Sequence, residues 1–166
     1  MSVAAPVKIA EYAVSGTNSA TSGAVALTQA VPAGTLLVLV AVAAGGSRPF
    51  TPASSAGLAW TPCAETWPTA SSGNAGTAAM WYTVTADALT TSDTVTVTIN
   101  AASVLAMRCW MIEGADPVDP VAAIVQGGLS TDVPTLTLPS LTCPAGGLVV
   151  AGGGGGGVLL DSVAAG

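Results

Sequence analysis

The longest stretch of regular patterning runs from Thr77 to Glu113. Within it, Asp93-Thr94-Val95-Thr96-Val97-Thr98-Ile99-Asn100 alternates strictly, with Val95, Val97 and Ile99 on one side and Thr94, Thr96 and Thr98 on the other. Successive side chains of an extended chain leave opposite faces of a sheet, so this is the period of a half-buried β-strand. The next segment, Val104 to Ile112, is apolar at every position except Arg108, the pattern of a central strand covered on both faces. Between them Ala101-Ala102-Ser103 is short enough for a hairpin connection, although it has no Asn-Gly or Gly turn signal. A hairpin of these two strands is the expectation.

The same reading extends along the chain. Val7 to Val14 and Gly23 to Thr28 read as strands, the second with Val25 and Leu27 on one face. Pro32-Ala33-Gly34 turns the chain into Leu36 to Ala44, a continuous aliphatic run that predicts a strand buried on both sides or at a subunit contact. Gly45 to Gly57, punctuated by Pro49 and Pro52, reads as loop. Leu58 to Trp67 is expected to be extended, but Pro62 cannot donate to a ladder and so belongs at an edge or bulge. Ala78 to Val84, Val121 to Gln126, Thr135 to Leu138 and Leu148 to Ala151 are further strand-like segments. No segment sustains a helical period. Short strands at close spacing with Gly/Pro turns predict an all-β protein, an antiparallel β-sandwich of jelly-roll-like form.

Residues 1–151 are expected to form that sandwich, and 152–166 a Gly-rich C-terminal segment. It opens on Gly152 to Gly157, read as a flexible tether or loop. Ala33-Gly34-Thr35-Leu36-Leu37-Val38 is echoed by Ala145-Gly146-Gly147-Leu148-Val149-Val150. If a second half-sheet begins there, the chain is the ordered portion of a longer polypeptide, or another subunit completes the sheet.

Composition narrows the function classes. The chain has 166 residues, 51% of them hydrophobic and 7% charged, with a net charge of −6 and no histidine. Mean hydropathy is +0.67, yet the longest apolar run, Thr35 to Ala44, falls well short of the ~20 residues that cross a bilayer as a helix. Membrane insertion is not expected. The start, Met1 to Pro6, has no basic cluster and no apolar signal region, so a protein made and assembled in the cytoplasm, or exported by another route, is expected rather than one secreted by the usual path. With only Lys8, Arg48 and Arg108 basic, nucleic acid is not an expected partner.

Candidate chemistry is sparse. Gly152, Gly154 and Gly157 satisfy a dinucleotide fingerprint trivially, with no following helix. Glu113, Asp116, Asp119 and Asp132 offer oxygen ligands suited to calcium, but in no EF-hand spacing, and Pro117 and Pro120 favour a solvated turn. Without histidine, neither the serines nor Cys63 has its usual activating base. Cys63, Cys109 and Cys143 fit no metal spacing and read as small buried hydrophobes. Neither a catalytic residue nor a metal or cofactor site is assigned. Trp60, Trp67, Trp81 and Trp110 are candidates for a sugar-stacking platform or for core fillers. Trp67, beside Pro68 and a Ser/Thr loop, is expected to be exposed and is the one candidate contact for a glycan or partner.

The order Thr35 to Ala44, Leu58-Ala59-Trp60-Thr61-Pro62, Met80-Trp81-Tyr82, Leu89 to Thr98 and Cys109-Trp110-Met111-Ile112-Glu113-Gly114-Ala115-Asp116 resembles β-sandwich modules of tailed-phage virion proteins. It is similar to the Ala/Gly/Thr-rich minor tail and related structural proteins of phages infecting GC-rich, actinobacterial-type hosts. The resemblance covers roughly residues 30 to 155. It implies a virion component without catalytic residues, placed at the tail tip, in a fibre or as capsid decoration. Its partners would be other virion proteins and copies of itself. The alternative is a carbohydrate-binding or adhesin module recognising a host-surface glycan.

Overall fold

The computed structural model describes residues 3–13, 19–44, 49–66, 76–121, 147–155 and 158–165. The regular elements among them are all strands: β1 Val7–Ala13, β2 Ala20–Ala26, β3 Leu36–Ala44, β4 Phe50–Ser54, β5 Thr61–Thr66, β6 Gly76–Val84, β7 Thr94–Ser103, β8 Leu105–Ile112, β9 Leu148–Gly155 and β10 Val158–Ala165. They form a five-stranded sheet in the order β1-β8-β3-β6-β5, a three-stranded sheet in the order β2-β7-β4 and the hairpin β9–β10. Every pairing is antiparallel. β1 pairs with β8, β2 with β7 and β3 with β6, a nesting in which the early and late strands of the sandwich run together. That is the jelly-roll arrangement, modified in that β5 joins β6 rather than β4. The antiparallel β-sandwich expected from the strand pattern is the fold.

β3 sits at the centre. Leu37, Leu39, Ala41 and Ala43 face the space between the sheets, where they meet Ile9, Phe50, Trp81, Leu105, Met107, Cys109 and the alternating trio Val95, Val97 and Ile99. Phe50 meets Trp81 edge-on, with ring centroids 6.0 Å apart and planes at 84°, a favourable arrangement for aromatic quadrupoles. Leu36, Val38 and Val40 point the other way and form a second cluster with Ile112, against which Val3, Met80, Tyr82, Val84, Ala115, Leu148 and Val150 pack.

The expected hairpin of Thr94–Asn100 with Val104–Ile112 does not form. Ala101-Ala102-Ser103 continues β7, and β7 and β8 lie in different sheets. The chain crosses at Val104, where the Ala44 amide donates to the Val104 carbonyl at 3.1 Å and the Ser103 hydroxyl donates to the Ala44 carbonyl. The inward residues are the same in either arrangement, so the alternation could not distinguish them. The outward residues decide: β7 shows Thr94, Thr96 and Thr98, whereas β8 is apolar on its outer face at Ala106 and Ile112 and needs the flanking strands β1 and β3.

Two further expectations are corrected. Phe50–Ser54, read as loop because of its prolines, is β4, and Pro52 is tolerated because this strand has a neighbour on one side only. Gly152 to Gly155, read as tether, extends β9 and pairs with Val158 to Asp161. Pro62 lies on edge strand β5, next to a register shift between Pro62 and Ala64, as its chemistry requires.

One end of the sandwich closes on a buried threonine. Gly34, with φ of 77°, makes the turn that precedes β3, a conformation glycine adopts without strain. Thr85, 1% exposed, donates its hydroxyl to the Pro32 carbonyl at 2.9 Å and accepts from the Thr35 amide at 3.1 Å. Its backbone closes the same turn, with Thr85 N–H to Thr35 O at 3.0 Å and Gly34 N–H to Thr85 O at 2.7 Å. Thr85→Val keeps the shape but orphans the buried Thr35 amide and strips the part-buried Pro32 carbonyl of its donor, so urea unfolding should show a loss of about 1–3 kcal/mol. An unchanged midpoint would refute this role. Trp81→Ala, which empties the centre of the core, should cost about 3–5 kcal/mol.

Candidate functional site

Charge is concentrated at one place on the five-stranded sheet. A bulge between Lys8 and Ala10 in β1 turns both Ile9 and Ala10 inward, where they are 0% and 2% exposed. The Ile9 carbonyl accepts from the Thr28 amide at 2.7 Å and hydroxyl at 3.1 Å. The extra residue resets the alternation, so Lys8 and Glu11 share the outer face. The Lys8 ammonium reaches Glu11 Oε2, and Arg108 Nε donates to Glu11 Oε1 at 2.7 Å. The hydrogen bond from Lys8, followed by that from Arg108, holds the Glu11 carboxyl below the usual range. Two of the chain's three basic residues are thus engaged by a single carboxylate.

Two acidic residues, Asp93 and Asp116, are turn formers. Asp93 Oδ1 accepts from the Ser55 hydroxyl at 3.0 Å and Oδ2 from the Thr90 amide at 2.9 Å and hydroxyl at 3.1 Å. These bonds, the Thr90 amide foremost, lower its pKa. Asp116 Oδ1 accepts from the amides of Val118 at 2.8 Å and Asp119 at 3.3 Å, closing the loop on itself. Of the calcium candidates, Asp116 is therefore committed to its own backbone, Glu113 and Asp119 are exposed, and Asp132 lies outside the described residues. Among the described residues no three His, Cys, Asp or Glu side chains converge. An open cleft of about 500 Å³ at one end of the sandwich is lined by Gly57, Leu58, Thr83, Leu89 and two carboxylates, Asp87 and Asp93. Both Asp93 oxygens are already taken by the turn.

The three described tryptophans do not share a surface. Trp81 is inside the sandwich, and Trp60 packs half-buried against the same core with its indole N–H enclosed and no acceptor among the described residues. Trp110 is half-buried on the outer face of the five-stranded sheet, paired with Lys8 and Val38. A platform of Trp81 and Trp110 is excluded, because they lie on opposite faces of that sheet. Trp67, the residue expected to touch a glycan or partner, lies outside the described residues, as does Cys143.

What the described surface does offer is an uncharged face and blocked edges. β2, β4 and β7 contain no charged residue. Their outer face is built of cross-strand rows, Ser22–Thr98–Thr51 and Ala24–Thr96–Ala53, with Ser22 and Thr98 hydroxyls 3.4 Å apart. Each edge strand of the two sheets carries a feature that obstructs further pairing. β1 has its bulge and ion pairs, β2 a register shift between Ala20 and Ser22, β4 Pro52, and β5 Pro62 with its bulge. Gly23 in β2 lies under the Tyr12 ring, where an added Cβ would come within 2.5 Å of the ring. This contact ties β2 to β1 across the two sheets. Sequence reading identified Thr94, Thr96 and Thr98 as one face but could not add β4, because that strand was hidden by its prolines.

Comparisons of this chain with protein-family models, curated proteins and solved structures return no match.

Burial fixes the state of the two described cysteines, which are both free. Desolvation pushes the Cys63 thiol up to about 11 and that of Cys109, sealed in the core, up to about 12. Both are therefore thiols in the folded chain, and Cys109 should resist alkylation at pH 8 until the protein unfolds. A raised thiol pKa adds stability that is whole below the unfolded value of 9.0 and is lost as pH rises through the folded value. Unfolding midpoints should fall from pH 9 towards pH 12, and Cys109→Ala should flatten that slope. An equal slope in the variant would contradict the assignment.

Proposed function

We propose that this chain is a non-enzymatic structural component of a tailed-phage virion, a minor tail, tail-tip or fibre-type protein or a capsid decoration, acting through protein–protein assembly. The observation that carries the reading is the uncharged Ser/Thr/Ala face of β2, β7 and β4 on a sandwich whose sheet edges are blocked. Such side chains lose little rotamer entropy when covered. Blocked edges leave association to the faces and loops. The resemblance of the segment order to virion β-sandwich modules supports the same conclusion.

Magnitude shapes the reading. Three strands spaced about 4.8 Å apart and overlapping for some five to seven residues present only about 300 Å², against about 800 Å² per partner for a stable interface. One such contact is weak. A symmetric particle multiplies it into a durable one.

Sedimentation of the purified chain should therefore show reversible association that grows from micromolar towards millimolar concentration. Thr96→Glu, which puts a charge in the middle of the face, should abolish that growth while shifting unfolding free energy by no more than about 0.5 kcal/mol. A chain that stays monomeric throughout, or associates equally well with Glu at position 96, would overturn the proposal.

A further inference from the structure

The loop that leaves β8 reads Glu113-Gly114-Ala115-Asp116-Pro117-Val118-Asp119-Pro120 and holds two aspartates that each precede a proline. Asp87, Asp93, Asp132 and Asp161 are all followed by residues that carry a backbone N–H. The distinction is chemical. When a backbone N–H follows an aspartate, its nitrogen can attack the side-chain carboxyl and expel water, giving a succinimide with the chain intact. Proline has no N–H, so at an Asp–Pro bond the route left is attack by the carboxylate on its own carbonyl carbon, which breaks the chain. Water reaches this loop freely: Asp116, Pro117, Val118 and Asp119 are exposed, Val118 at 91%. The two carboxylates are not equivalent. Asp116 Oδ1 is held by the amides of Val118 at 2.8 Å and Asp119 at 3.3 Å, whereas the Asp119 carboxylate has no hydrogen bond among the described residues.

We propose that the Asp119–Pro120 bond is a self-cleavage site of the folded chain, opened by mild acid. An Asp119 carboxylate oxygen forms a bond to the Asp119 carbonyl carbon, and the C–N bond to Pro120 breaks. The Pro120 nitrogen takes a proton from solvent acid and leaves as a secondary amine. Water then opens the cyclic anhydride, which restores the Asp119 side chain and leaves a new C-terminal carboxylate. The sum is hydrolysis of one peptide bond. At Asp116 the same attack must first give up a hydrogen bond to a charged group, which slows it by about tenfold or more. The position of the cut matters for the fold. All strands of the two sheets, β1 to β8, precede Pro120, and β9–β10 follows it with a ladder of its own. Ala115 packs on the outer cluster of the five-stranded sheet and anchors the root of the loop. Cleavage therefore divides the chain covalently without breaking a ladder of either sheet, and it does so whether or not the chain assembles with copies or neighbours.

The test holds the full chain at about pH 4, where an ordinary aspartate is half ionised and acid is still plentiful, with circular dichroism marking the folded state and intact mass followed over days. Fragments ending at Asp119 and beginning at Pro120 should accumulate at least about ten times faster than those from the Asp116–Pro117 bond. Asp119→Glu keeps the charge but moves the carboxylate one carbon further from the carbonyl, and should slow the break by about tenfold or more. Pro120→Ala restores the N–H and should yield succinimide and isoaspartate at position 119 in place of a break. In concentrated urea, where the turn that holds Asp116 is gone, both bonds should break at comparable rates. Earlier or equal cleavage at Asp116–Pro117 in the folded chain would overturn the proposal, as would an Asp119→Glu variant cut as fast as the parent. A folded chain that stays whole in acid while the urea-unfolded chain is cut would overturn it too.

Discussion

A strand that is apolar on both faces has to be covered twice, and β3 imposes that requirement on everything around it. Its inward residues are satisfied by the three-stranded sheet, which supplies Val95, Val97, Ile99 and Phe50. Its outward residues need a third layer, which comes from the N-terminal segment at Val3, from Ala115 and from β9. β8 shares the condition, as Leu105 and Ile112 are both buried while facing opposite ways. This accounts for a mean hydropathy of +0.67 in a chain where, among the described residues, no helix is long and apolar enough to cross a membrane.

The two covers differ in kind. The inward one is part of the nested jelly-roll pairing, in which β2 and β7 are bound into the same winding that places β1 against β8. Its loss means unfolding. The outward one is a ribbon laid on the sheet without ladder hydrogen bonds to it. The outer surfaces follow from this division. The sheet edges are closed by bulges and prolines, the second sheet presents short uncharged side chains, and the C-terminal hairpin lies on the five-stranded sheet as a ladder of its own.

Much of this was readable from residue order, and the failures have physical causes. The bounds of β3 follow from a run of aliphatic residues that ends at Gly45, and the inward face of β7 from its alternation. Pro62 announced an edge or bulge through its missing donor, and β5 has both. Period alone, however, reports which way a side chain points and not which strand lies beside it. The β7–β8 crossing was therefore misread as a hairpin, although the missing turn residues at Ala101-Ala102-Ser103 were a sign against one. β4 was lost because proline argues against a strand only where both edges are paired. The glycines of β9 were lost because a strand without side chains has no period. The candidate surface was half visible, in the threonines of β7; its partners on β2 and β4 required the fold.

Native-state hydrogen exchange is the most direct measurement of the central claim, that β3 is held between one cover bound into the winding of the sandwich and one laid on it without ladder hydrogen bonds. Amides of β3 and β8 should exchange only through global unfolding, with full dependence on denaturant, while those of β9 and β10 exchange through a separate opening of lower free energy and weak denaturant dependence. Equal protection of β9 and β3, lost together at every denaturant concentration, would show the hairpin to be an inseparable layer of the fold and would contradict the account.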